Sequence, residues 1–300
     1  MEILDKNSVE KLNTYTCITI GKFDGLHTGH DYVFNTVKNI AAKNNLKTMV
    51  CTFEAPPLDF IDNRENDILL TLDEKKSRLK KMGIDYLNIW SFDERFMHIM
   101  PEEFIKMLVE KFGMKAFVCG DDFRYGYRRQ GDTELLHKLS EKYGFKLSVL
   151  KKLKDDEITV SSTKIKELLV SGDINEANRL LGYEYFIGGK VVSGARLGRK
   201  MGFPTANIIP EIQKVLPPFG VYESKVELGG RIYKGMTNIG TKPTVTSDLK
   251  ITVETYFKDF TGNLYDEYID VELVRFIRPE KKFNTIEELE MQIKSDVEAI

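Results

Sequence analysis

The stretch Ile20-Gly21-Lys22-Phe23-Asp24-Gly25-Leu26-His27-Thr28-Gly29-His30 decides how this chain is read. It follows a short apolar run, Cys17–Ile20, that reads as a buried strand. It precedes apolar residues at helical spacing: Val33, Phe34, Val37, Ile40 and Ala41. A strand, a turn with three glycines and a helix make the first half of a βαβ unit. Glycines let a backbone approach a ligand closely, and a helix start offers unpaired N–H groups to an anion. Two of the chain's four histidines flank Gly29, and histidine changes charge near pH 7. The stretch therefore reads as a nucleotide-phosphate site.

Further apolar runs at 48–53, 86–90, 116–119 and 147–150 read as parallel strands. Helical patterns lie between them. Pro101-Glu102-Glu103 opens one, since proline suits a first turn and acids suit its dipole. Its buried stripe is Phe104, Met107, Leu108 and Val109. Another begins near Thr133 and buries Leu135, Leu136 and Leu139. Alternating strands and helices imply a parallel sheet covered on both faces, with ligands beyond the carboxyl ends of its strands. The segments after each strand are then the ones that matter: the histidine turn, Ala55-Pro56-Pro57, the loop Gly120–Asp132 and Ser161-Ser162-Thr163. The loop Gly120–Asp132 mixes Asp122, Phe123 and Arg129 with other arginines and aromatics, which suits stacking on a ring and gripping phosphate. Ser162 or Thr163 can cap the helix that carries Ile165, Leu168 and Leu169.

At 300 residues there is room for two domains, and 42% hydrophobic with 30% charged residues fits a globular protein. A formal net charge of -2 argues against a nucleic-acid surface. No apolar run approaches the roughly 20 residues that span a bilayer, and no secretory signal is visible, so a cytoplasmic protein is expected. Cys17, Cys51 and Cys119 fall in the apolar runs without metal-ligand spacing and read as small core residues.

After Gly182 the pattern changes to short alternating runs at 189–192, 221–226, 231–238, 251–257 and 269–276. Turns such as Gly229-Gly230 separate them, which suggests an antiparallel barrel. One terminal helix follows, capped near Thr285, with Ile286, Leu289, Ile293 and Val297 on its apolar face. The segment Gly194–Asn207 carries Gly198, Arg199, Gly202 and Pro204 in a basic, glycine-rich loop suited to phosphate. Thr205 and Asn207 add oxygens of the kind a hard cation accepts.

Two resemblances follow from these residues. His27-Thr28-Gly29-His30 resembles the HxGH signature of the nucleotidyltransferase superfamily. With Gly120–Asp132 and Ser161-Ser162-Thr163, the longer string is similar to the FMN adenylyltransferase half of prokaryotic bifunctional riboflavin kinase/FAD synthetases. Gly198–Asn207 resembles the GRxxGFPTAN signature of riboflavin kinase. Gly220-Val221-Tyr222, Asn238–Thr244, Val253-Glu254 and Phe276–Glu280 follow in that family's order. Two departures are visible in the first half. The family's Pro-His-Pro is Ala55-Pro56-Pro57 here, and its SSTxIR motif ends in Lys166, which keeps the charge and loses the bidentate fork.

The resemblance implies an α/β nucleotidyltransferase domain over 1–182 and a β-barrel riboflavin kinase domain over 183–300. It implies that riboflavin is phosphorylated to FMN and that FMN is adenylylated to FAD, with ATP and Mg²⁺. Gly21, Phe23, Asp24, His27, His30, Arg129, Ser162, Thr163 and Lys166 would serve ATP and phosphate in adenylyl transfer. Asp122 and Phe123 would serve the flavin there. In the kinase reaction, Gly194, Gly198, Arg199, Gly202 and Pro204 would serve ATP, and Thr205 and Asn207 the metal. Tyr222, Glu254 and Arg278 would face the flavin, with Glu254 as general base. Small molecules are the expected partners, on a monomer or weak homo-oligomer. The two departures leave open a kinase with weakened or lost adenylylation. A flavin-binding regulator without turnover, and adenylylation of another phosphate such as phosphopantetheine, are the remaining alternatives.

Overall fold

The computed structural model describes residues 1–4, 11–54, 67–91, 93–151, 154–155, 158–194, 203–243, 249–298 and 300. The chain divides into two compact units, Met1–Ser161 and Ser162–Ile300.

The first unit is built on six parallel strands: β1 (Glu2–Leu4), β2 (Thr16–Ile20), β3 (Lys47–Phe53), β4 (Tyr86–Trp90), β5 (Met114–Gly120) and β6 (Lys146–Leu150). Their order is β1-β4-β3-β2-β5-β6. The helices are α1 (Thr28–Lys43), α2 (Leu72–Lys81), the single-turn α3 (Glu94–Met97), α4 (Pro101–Phe112) and α5 (Thr133–Tyr143). The central strands β2, β3 and β5 are almost wholly buried because both sheet faces are covered. Cys17, Ala116 and Val118 meet Val37 and Ala41 of α1 on one face. Ile18, Ile20, Met49, Cys51 and Phe117 meet Phe104 and Leu108 of α4 and Leu136 of α5 on the other. All three cysteines are buried and unbridged. The stripe on α4 is Phe104, Ile105, Leu108 and Phe112, with Met107 and Val109 only partly buried.

From β2 the chain runs outward to β3 and β4 on one side and to β5 and β6 on the other. The carboxyl end of β2 is thus the point where strand order reverses, and the histidine turn emerges there.

The second unit opens with α6 (Ser162–Ser171) and α7 (Ile174–Leu181), separated at Gly172 and Asp173. Six antiparallel strands follow: β9 (Phe186–Lys190), β10 (Thr205–Ile208), β11 (Gly220–Leu228), β12 (Arg231–Pro243), β13 (Leu249–Phe257) and β14 (Tyr268–Pro279). The short pair β7 (Lys154–Asp155) and β8 (Ile158–Thr159) precedes α6. The order is β10-β13-β12-β11-β14-β9. A bridge between Val192 and Asn207 brings the two edges together, so the sheet is nearly closed into a barrel. The terminal helix α8 (Ile286–Glu298) ends the chain.

The compact units part at 161/162, twenty-one residues ahead of the expected 182/183. The reason lies in Asn178. Its side chain donates to Leu273 O (3.0 Å) and accepts from Tyr185 N (2.7 Å), which ties α7 to the barrel. Thr285 does cap α8, accepting from Glu288 N at 3.2 Å. Its expected apolar face holds at Leu289, Ile293 and Val297, which are half-buried, but not at Ile286, which is 64% exposed, and the most buried residue of the helix is Asp296. Arg278 of β14 grips that carboxylate through Nε and Nη2, the shortest contact being 2.6 Å, and Gln292 donates to it at 2.9 Å.

Candidate active sites

Each ring at the start of α1 has a local cause for its position. His27 occupies the N-cap position with extended backbone (φ -74°, ψ 174°), and its carbonyl accepts from His30 N at 2.7 Å. The His27 and His30 rings stack, with centroids 3.8 Å apart and an interplanar angle of 23°. A Cβ on Gly29 would approach His27 Cε1 to 3.1 Å, so the glycine makes room for the stack. Phe23 closes the other side, edge-on to His30 at 5.3 Å and against Phe34 at 4.9 Å. A Cβ on Gly21 would in turn meet the Phe23 ring at 2.9 Å.

Burial lowers His27 to about 4 against the pull of Asp24. His30 lies well below the usual histidine range, through burial first and then the charges of His27 and Lys75. Both rings are therefore neutral at pH 7, each with one N–H to donate. The Nδ1 atoms of both are buried without a hydrogen-bond partner among the described residues. Unpaired ring nitrogens at a helix N-terminus, at the switch point of a parallel sheet, form a place for an anion.

The remaining residues expected to serve adenylyl transfer differ in burial and in the unit that carries them. Asp24 is buried and braces the protein, its Oδ1 accepting from Leu69 N at 2.8 Å. Phe23 likewise packs more than it reaches outward, being 6% exposed. Phe123 is half-buried against Phe117 and stacks on Tyr125 at 5.5 Å and 16°. Asp122 and Arg129 are exposed on the loop after β5, and Arg129 adopts a left-handed backbone (φ 59°). Ser162, Thr163 and Lys166 begin α6 in the second unit. Ala55-Pro56-Pro57 lies outside the described residues.

Lys75 was not legible in the sequence. It stands in the charged run Asp73-Glu74-Lys75-Lys76, which looks like a solvated face. In the structure it is buried, its Nζ donating to Lys22 O at 2.9 Å and lying 3.4 Å from Thr52 Oγ1. The signal that could have found it is the capping box of Thr71 and Glu74, which fixes where α2 begins and so which side of it faces inward.

In the barrel, Thr205 and Asn207 lie on the short strand β10 and not in the glycine-rich loop that their sequence context suggests. Strands β10 and β13 pair with Asn207 opposite Glu254, and β12 places Asn238 on Glu254's other side. Directly opposed residues share a face, so Thr205, Asn207 and Glu254 point the same way. Asn207 Nδ2 lies 3.5 Å from Thr205 Oγ1. A Cβ on Gly194 would meet the Asn207 amide at 2.5 Å, so this glycine lets the chain pass directly over it. A cavity of about 300 Å³ adjoins them, lined by Gly194, Pro204, Thr205, Asn207, Phe257 and Tyr265 among others. Gly198, Arg199 and Gly202 lie outside the described residues.

Two expected flavin contacts are otherwise engaged. Tyr222 is fully buried, its hydroxyl donating to Pro218 O and its ring edge-on to Phe276 at 5.2 Å. Burial pushes that phenol up to about 12. Arg278 is committed to Asp296.

A parallel-sheet nucleotidyltransferase unit followed by an antiparallel barrel defines a two-domain transferase. The FAD synthetase model matches residues 9–164 and the riboflavin kinase model residues 181–300. The bifunctional riboflavin kinase/FMN adenylyltransferase of Escherichia coli K12 is 38% identical over 282 residues, covering 93% of this chain and 90% of the relative. That of Buchnera aphidicola subsp. Schizaphis graminum is 35% identical over 300 residues, covering 98% and 96%. A Streptococcus pneumoniae structure described as a macrolide-efflux protein superposes with a TM-score of 0.81 at 26% identity, covering 99% of this chain and 97% of that one. Among the described residues no helix is long and apolar enough to cross a membrane. The chain belongs to the bifunctional riboflavin kinase/FMN adenylyltransferase family.

Proposed function

We propose that the two halves work in sequence, each at the site described above. In the barrel, the riboflavin 5′-hydroxyl attacks the γ-phosphorus of ATP, Glu254 accepts the hydroxyl proton, and ADP leaves. Glu254 suits this role because it stands on a paired strand facing Asn207 and Thr205, so its carboxylate is fixed relative to the phosphate ligands. The Thr205 hydroxyl and the Asn207 amide offer oxygens on one face, the donor chemistry that Mg²⁺ takes alongside phosphate oxygens. Bound there, Mg²⁺ would neutralise charge on the transferring phosphoryl group. The main support for this half is the register that sets Asn207 against Glu254.

In the first unit, a phosphate oxygen of FMN attacks the α-phosphorus of ATP and pyrophosphate leaves. His27 and His30 donate to the triphosphate, and the α1 N-terminus adds its N–H groups. The main support is the stacked ring pair with two unpaired Nδ1 atoms. Arg129, Ser162, Thr163 and Lys166 are assigned to phosphate on family resemblance. The FAD synthetase match reaches residue 164 and so includes Ser162 and Thr163. We place the functional border at 182 and read the whole chain as a cytoplasmic monomer or weak homo-oligomer whose partners are small molecules.

The decisive experiment incubates the protein with riboflavin, ATP and Mg²⁺ and separates the flavins. FMN followed by FAD is expected. FMN accumulating without FAD selects the reading in which Ala55-Pro56-Pro57 and Lys166 have cost the chain its second activity. Flavin binding without ADP release would select the regulator.

A further inference from the structure

The histidine turn is held in a conformation that needs support. Phe23 (φ 46°) and Leu26 (φ 42°) both adopt the left-handed backbone region without being glycine. Such residues persist where surrounding contacts over-determine them. Helix α2 and its lead-in supply two such contacts, one on each side of Phe23. Lys75 Nζ donates to Lys22 O at 2.9 Å, and Thr52 Oγ1 donates to the same carbonyl at 3.2 Å. On the other side, Asp24 Oδ1 accepts from Leu69 N at 2.8 Å. The turn is thereby pinned to the end of β3 and to the segment that enters α2.

A lysine is an expensive residue for this task. Burying an ammonium is unfavourable, and a methionine would fill the same space without that penalty. Burial lowers Lys75 to about 8, with Asp24 opposing the shift, so it remains charged at neutral pH. We propose that Lys75 is a positioning residue for adenylyl transfer, its buried ammonium fixing the Lys22–Leu26 turn and with it the stacked pair His27 and His30. The proposal rests on the reading of those rings as triphosphate ligands. The charge has a second consequence, because it acts on His30. That ring faces His27 and Phe23 from the turn, Phe34 from α1 and Lys75 from α2, while Asp24 acts on His27 and Lys75. Removing the ammonium removes a like charge, so His30 should take up a proton more readily.

The test uses the full chain with Lys75→Met and Lys75→Arg. FAD formation from supplied FMN and Mg-ATP is measured beside FMN formation from riboflavin. The ring nitrogens of His30 are titrated by NMR. Lys75→Met is expected to lower kcat for FAD formation at least tenfold, with little change in the KM for ATP and none in FMN formation. Lys75→Arg should recover much of that loss. The His30 midpoint should move to higher pH in the methionine variant and stay in place in the arginine variant. FAD formation within threefold of the parent in Lys75→Met overturns the proposal. So does an equal loss in both variants with the His30 midpoint unmoved, which marks Lys75 as packing alone. If Lys75→Met does not fold, Lys75→Arg carries the decision: near-parental kcat supports the clamp and a tenfold loss overturns it. If the parent makes no FAD, the reading of the histidines fails by itself, and the His30 titration still decides whether Lys75 governs that ring.

Discussion

Gly29 shows how much a single absent carbon can matter. It sits in the first turn of α1, where alanine is the better helix former by about 1 kcal/mol. A Cβ there would crowd His27 Cε1 at 3.1 Å. Gly29→Ala should therefore leave the first unit as stable as before, or slightly more so, while lowering FAD formation roughly tenfold, the order of loss that misplaced catalytic groups produce. Trp90, the chain's one tryptophan, is buried in the first unit, so its fluorescence on urea unfolding checks stability while the flavin assay checks rate. An equal fall in both would make the glycine's role structural. His27 gives a prediction of the opposite kind. Its folded pKa of about 4 lies below the ordinary 6.5, so between those values the unfolded chain binds a proton that the folded one refuses. Stability then falls as pH drops through that window, by up to about 3 kcal/mol from this group, and is unaffected by it above pH 6.5. His27→Gln should flatten that part of the pH dependence of the Trp90 transition. At this scale the motif residues were legible, because turn, glycines and histidines are neighbours in sequence. Lys75 was not, because only tertiary packing turns one lysine of a charged helix inward.

Elements were legible where their pattern is local. Strands β2 to β6 lie within two residues of the apolar runs that signal them, because strands buried on both faces read as continuous apolar runs, whereas the three-residue edge strand β1 is too short to show one. Strand β10 was missed because only Thr205–Ile208 is extended, and a Pro-Thr-Ala-Asn sequence has no alternation to announce it. Its existence depends on β13, fifty residues away. Helix α8 follows its apolar spacing in part, with Leu289, Ile293 and Val297 half-buried, but its most buried contact is the Arg278–Asp296 pair, which periodicity does not announce. Removing one partner leaves a partly buried charge without compensation. Asp296→Ala should destabilise the barrel by about 2 kcal/mol, less than for a fully buried pair because Arg278 remains one-fifth exposed. The temperature at which FMN formation is lost should drop, with FAD formation from supplied FMN retained to the parental temperature. An unchanged temperature would mean that α8 is held by other contacts.

At the scale of the whole molecule, the chain carries two chemistries on two architectures, and the chemical centre of each is assembled in a different way. The first gathers its rings over four residues at one strand end. The second gathers Thr205, Asn207 and Glu254 across a strand pair. The molecule should therefore fail in halves. Glu254→Gln keeps the shape of the side chain and removes the basic oxygen, so it should lower FMN formation by about the 10²–10⁴-fold that a positioned base contributes. It should leave FAD formation from supplied FMN intact. His30→Ala removes a ring from the stack without touching the barrel. It should lower FAD formation by at least about tenfold, as expected for loss of one preorganised donor, and leave FMN formation intact. Both variants need both assays, since a folding defect would lower the two activities together. When riboflavin is the only flavin supplied, His30→Ala should accumulate FMN, and Glu254→Gln should accumulate nothing, because its intact first unit receives no FMN. Mixing the two variants then restores FAD from riboflavin only if FMN leaves one protein and enters the other. A mixture that makes no FAD, although each half is active on its supplied substrate, would show that FMN does not pass freely through solution.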